Sequence, residues 1–119
     1  ADMATTARAK PSDAVNGVGL DNGRAVVVFR NDESKAFFVV FDPKKDPQWS
    51  VPRPLIDEGN PVLPATPQLV RDPCGAEAAL AFATEEGVAV MRFADDAWKG
   101  PYVVDGIPGV TYATIVAAP

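Results

Sequence analysis

Ala25-Val26-Val27-Val28-Phe29-Arg30 runs into the polar turn Asn31-Asp32-Glu33-Ser34 and then into Ala36-Phe37-Phe38-Val39-Val40-Phe41. The chain then says this again. Ala78-Ala79-Leu80-Ala81-Phe82-Ala83 leads into Thr84-Glu85-Glu86-Gly87 and then Val88-Ala89-Val90-Met91-Arg92-Phe93. A tryptophan follows each pair of runs, Trp49 in the first and Trp98 in the second. Each ends in an apolar tail, Leu55-Ile56-Asp57 and Val103-Val104-Asp105. Short apolar runs bounded by turn signals read as buried strands. Continuous β-branched and aromatic runs are expected of strands covered on both faces.

Working outward, residues 14–21 align without a gap on residues 65–72, with Val18 on Leu69 and Asp21 on Asp72. Each leads into a turn, Asp21-Asn22-Gly23 or Asp72-Pro73-Cys74-Gly75. Asn-Gly favours a two-residue hairpin turn, because both residues tolerate positive φ. Residues 42–48 hold two prolines and two lysines and read as a loop. Trp49-Ser50-Val51 is expected to open a fourth short strand. Pro52 and Pro54 confine that strand to an edge, since proline donates nothing to a central ladder. Residues 55–66 then track residues 103–114 at constant spacing, so residues 113–118 read as a third copy of the first strand.

The unit is thus four strands in roughly fifty residues, the pattern of a propeller blade. Over residues 14–119 the sequence resembles β-propeller repeats. Trp49-Ser50-Val51-Pro52-Arg53-Pro54-Leu55 is similar to the outer strand of sialidase-like and lectin-like blades. The sialidase Asp-box, Ser-x-Asp-x-Gly-x-x-Trp, precedes neither tryptophan, so the resemblance is architectural and carries over no catalytic residue. The expected fold is all-β: two four-stranded antiparallel blades plus one strand, part of a larger or oligomeric propeller. Residues 1–13 read as an N-terminal arm, 14–64 and 65–112 as the two repeats, and 113–119 as the start of a third. A single β-sandwich uses the same strands and turns and is the alternative.

Composition narrows the function. At 119 residues the chain is one domain or part of one, and 47% apolar content suits a packed soluble core. Twelve prolines and nine glycines suit short strands and turns. A net charge of −5 argues against nucleic acid and against an anionic membrane surface. No apolar run approaches a membrane span. The chain opens on Ala1, from which a processed or trimmed product is expected. Its single cysteine, Cys74, allows no intrachain disulfide. The compartment stays open, with a secreted or periplasmic location favoured.

Two blades can cover only one pair of faces. Leaving the outer faces wet would cost several kcal/mol at about 25 cal/mol per Å². The reading therefore expects other copies of the chain, or a second chain, to complete the ring; the end of the chain after an odd strand points the same way.

Catalysis is weakly supported. The chain has no histidine, hence no histidine triad or histidine metal site, and no calcium loop. Cys74 has nothing to activate it, and no cofactor is implied. The acidic pairs Asp32-Glu33, Glu85-Glu86 and Asp95-Asp96 read as solvated turns. The binding candidates are Trp49 and Trp98, which would stack on sugar rings, with Arg53, Tyr102 and Arg30 as polar partners. The competing reading wedges both tryptophans into the core. The expected function is a non-catalytic, lectin-like carbohydrate-binding module. The alternatives are a fragment or subunit of a propeller hydrolase and a structural or protein-interaction propeller.

Overall fold

The computed structural model describes residues 15–71, 77–84 and 87–104. The N-terminal arm, Cys74, the Glu85-Glu86 turn and the third copy at 113–119 lie outside the described residues. The described chain is all-β. Strands β1 (Asn16–Gly19), β2 (Ala25–Arg30), β3 (Ala36–Phe41) and β4 (Arg53–Pro54) form one antiparallel sheet in sequence order. Strands β5 (Gln68–Val70), β6 (Ala78–Thr84), β7 (Gly87–Ala94) and β8 (Ala97–Val104) form a second sheet of the same connectivity. Both sheets are open.

The two-residue period of a strand explains why the apolar runs have no polar gaps. Val26, Val28, Ala36 and Phe38 face inward from the first sheet. Leu80, Phe82, Met91 and Phe93 face inward from the second, and all eight belong to one buried core. Edge-to-face ring contacts cross between the sheets: Phe38 lies 6.1 Å from Phe93 and 6.5 Å from Trp98. The alternate residues of the first sheet point outward. There Phe29 and Phe37 stack at 6.3 Å and pack with Val39 as a separate cluster. The outward residues of β6 are Ala79, Ala81 and Ala83, small enough to be buried between larger cross-strand neighbours.

The turns follow from local chemistry. Asn22 and Gly23 both take positive φ (63° and 74°), as Asn-Gly predicts. The turn is nevertheless three residues long, because the Leu20 N–H bonds the Arg24 carbonyl at 2.7 Å and extends the ladder beyond Gly19. Asn31 shapes the β2–β3 turn. It is 1% exposed, and its Oδ1 accepts the amide N–H groups of Glu33 (3.0 Å) and Lys35 (2.9 Å). An asparagine side chain that satisfies nearby amides in this way stands in for backbone ladder bonds.

The fourth strand needs a correction. The ladder with β3 sits at Arg53–Pro54, on the sheet edge as the prolines require, while Trp49 forms only an isolated bridge to Phe41. At Ser50 the side-chain Oγ accepts the Val40 amide N–H at 2.8 Å, so a hydroxyl takes the place of a strand carbonyl. Beyond β4, Leu55 and Leu63 turn back into the core.

Polar contacts also join the sheets. Arg24 forms ion pairs with Glu77 and with Asp96, the latter at 2.9 Å. Arg71 pairs with Asp21, and the Asn16 amide donates to the Pro67 carbonyl at 2.7 Å.

Candidate functional site

A shallow groove of about 130 Å³ opens where the 42–50 loop of the first sheet meets the β7–β8 turn of the second. Its walls are Val40, Asp42, Lys45, Pro47, Gln48, Ser50, Arg53 and Asp96. Val40 and Arg53 reach it because inward-facing positions of β3 and β4 come to the rim of the core there. Arg53 pairs with Phe38 across the ladder, and its guanidinium lies 5.0 Å above the Phe38 ring. Its Nη1 donates to the Asp96 carbonyl at 3.0 Å. That combination fixes a cation at the rim by ring stacking and one hydrogen bond.

The loop that forms the other wall is held by its own bonds. The Asp42 N–H donates to the Gln48 carbonyl at 2.8 Å, and the Lys45 N–H to the Asp42 carbonyl at 3.1 Å. Asp42 Oδ1 accepts the Lys44 N–H at 3.0 Å, and Gln48 Nε2 donates to the Pro43 carbonyl at 3.3 Å. The Ser50 N–H donates to the Val40 carbonyl at 2.8 Å. A surface loop closed in this way is already shaped for a ligand and loses little freedom on binding. Opposite it, Asp95 and Asp96 hold the two-residue β7–β8 turn with φ of 54° and 60°. Aspartate occupies left-handed positions more readily than most side chains, and the Arg24 ion pair adds a further hold on Asp96.

The five residues singled out from the sequence are placed in different surroundings. Trp49 is 49% exposed, with its ring tilted against Phe41 at a centroid distance of 5.0 Å. Gln48 and Ser50 line the groove, whereas the Trp49 bridge to Phe41 puts the indole on the opposite, outer side of the same segment. Trp98 is a core residue at 8% exposure, wedged against Phe93 at 5.2 Å, and its indole N–H is buried without a hydrogen-bond partner. Arg53 is in the groove. Tyr102 is 61% exposed and pairs with Val90 on the outer face of the second sheet, away from Arg53. Arg30 donates to the Leu63 carbonyl at 2.7 Å and ties the link between sheets to the β2–β3 hairpin.

The structure thus brings Trp49 and Arg53 onto one loop-and-edge region and leaves the other three elsewhere. Asp42, Lys45, Gln48, Ser50 and Asp96 complete the groove. Their signal in the sequence was the loop itself: seven residues with two lysines where the second copy has a two-residue turn. Long loops on a rigid sheet are where binding groups gather. Among the described residues, no group of three or more acidic or cysteine side chains could hold a metal ion. The chain matches no protein-family model, no curated protein and no solved structure.

Proposed function

We propose that this chain is a non-catalytic carbohydrate-binding module, with Trp49 and Phe41 as its aromatic platform and the adjoining groove as its polar contact. The observation that carries the reading is the exposure of Trp49. A half-exposed indole, backed by Phe41 on a hydrogen-bonded loop, presents a ring face on which an apolar sugar face can stack. Sugar rings present apolar faces to an aromatic and hydroxyls to carboxylates, amides and cations. Asp42, Gln48 and Arg53 offer those groups on the other side of the same segment. An extended oligosaccharide is long enough to touch both sides.

The test is Trp49→Ala, assayed on a glycan array and by titration calorimetry. Binding is expected to fall with little change in the unfolding midpoint. An array on which the unaltered protein binds nothing, or a variant that unfolds as readily as a core truncation, would make Trp49 structural and end this reading.

We infer further that the two sheets are consecutive blades of a larger propeller. They share one strand order, and the edges β1 and β5 lie next to each other, as the first strands of neighbouring blades do. Light scattering on the assembled particle is expected to give a mass above that of one chain. A clean monomer at micromolar concentration would refute the ring.

A further inference from the structure

Resting on the carbohydrate reading, the balance of charge in the groove narrows the ligand. Two carboxylates and two cations line it. Each carboxylate already accepts one hydrogen bond: Asp96 Oδ1 a charged one from Arg24, and Asp42 Oδ1 one from the Lys44 amide N–H. The two cations have no carboxylate partner among the described residues. Among the described residues the Lys45 ammonium has no ion pair, and the Arg53 guanidinium meets only a backbone carbonyl and the face of the Phe38 ring. Arg24, drawn to Asp96 and Glu77, adds a third positive charge beside the same turn. The charges around the groove balance, and what sets Lys45 and Arg53 apart is that neither of them faces a carboxylate partner among the described residues.

Such donors are matched by an oxyanion. Charge-assisted hydrogen bonds to carboxylate or sulfate are about twice as strong as neutral ones. Arg53 is held in place by the ring beneath it, and Lys45 is carried by the closed 42–50 loop. The Arg53 guanidinium is thus already oriented, while at Lys45 the backbone is fixed and the side chain is ordered on binding. Asp42 and Gln48 remain as acceptors and donors for hydroxyl groups around the anion.

We propose that the groove takes an acidic carbohydrate, with Lys45 and Arg53 holding an oxyanion, either a carboxylate or a sulfate ester, carried on the sugar chain. The neutral part of the same chain stacks at Trp49. Carboxylated and sulfated sugars share the chemistry that the two cations recognise.

The experiment compares three soluble polymers by affinity electrophoresis and calorimetry on the full chain: dextran, dextran sulfate and polygalacturonate. At least one acidic polymer is expected to bind about a hundredfold more tightly than dextran, about tenfold for each of the two contacts, and the arm that does so tells sulfate from carboxylate. Lys45→Gln and Arg53→Gln should each weaken that polymer about tenfold, the worth of one charge-assisted contact. Lys44→Gln, a neighbouring cation outside the groove lining, should leave it unchanged. Arg53→Gln also removes a contact with Phe38, so Lys45→Gln with an unaltered unfolding midpoint is the decisive variant. If Lys44→Gln and Lys45→Gln weaken binding equally, the attraction is diffuse and the site is refuted. If dextran binds as tightly as both acidic polymers and Trp49→Ala abolishes it, the carbohydrate reading stands and the anion assignment falls. If no polymer binds, both fall together.

Discussion

Removing the Phe38 side chain tests whether the two sheets stand or fall as one body. Phe38 is 2% exposed on β3 and touches Phe93 and Trp98 of the opposite sheet, with Arg53 above its ring. A buried phenylalanine covers roughly 150–200 Å² of apolar surface. At about 25 cal/mol per Å², that is about 4 kcal/mol. Measured Phe→Ala changes in cores, which include the cavity left behind, span about 3–5 kcal/mol. A domain of this size has only about 5–15 kcal/mol to lose. At an m-value of about 1.5 kcal/mol per M, Phe38→Ala should lower the urea midpoint by more than 2 M. Phe38→Leu keeps most of the volume and should cost about 1–1.5 kcal/mol. The assay is urea unfolding followed by tryptophan emission in a Trp49→Phe background, where the signal is that of buried Trp98. Amide exchange should show β2 and β6 losing protection together. If Phe38→Ala costs less than about 1.5 kcal/mol, or if β6 keeps its protection while β2 loses it, the shared core is an incorrect account of what holds the sheets together.

Other substitutions probe single links in the structure. Asn31→Ala strands the Glu33 and Lys35 amides and should cost about 2 kcal/mol by urea unfolding, with Asn31→Asp losing less because it keeps an acceptor. Gly19→Ala meets nothing within 4 Å and should stabilise by a few tenths to about 1 kcal/mol in thermal melts. Gly17→Ala, whose added methyl would lie 3.2 Å from the Val27 side chain, should be neutral or destabilising. Arg24→Met should cost about 1–2 kcal/mol at low salt, because it leaves the half-buried Glu77 unpaired. The gap from the unaltered protein should narrow in 0.5 M NaCl, where the exposed Asp96 contact is screened.

Local chemistry determined a good deal of this protein in advance. The apolar runs placed β2, β3, β6 and β7, since a strand buried on both faces leaves no room for a polar alternation. Asn22-Gly23 marked a turn at positive φ, and Pro52 and Pro54 put the fourth strand on an edge. These are decisions taken within a few residues.

Which face a residue occupies is set between strands, and the sequence alone left it open. Trp49 and Trp98 hold matching places in the two copies, yet Trp49 pairs with the outward Phe41 and Trp98 with the inward Phe93. The long 42–48 loop and the two-residue Asp95-Asp96 turn bring the next segment back in different registers, and a change of one residue exchanges the faces. A bulge does the same for Tyr102. The register between β7 and β8 shifts between Val90 and Arg92, opposite Gly100 and Pro101, and turns the tyrosine outward opposite Val90. The groove likewise depends on contact between the sheets, because Asp96 reaches Arg53 and Arg24 across more than forty residues of chain. Propensity and pattern act along the chain and so gave the strands; register and packing act across it, and they alone chose which tryptophan is buried and which faces water.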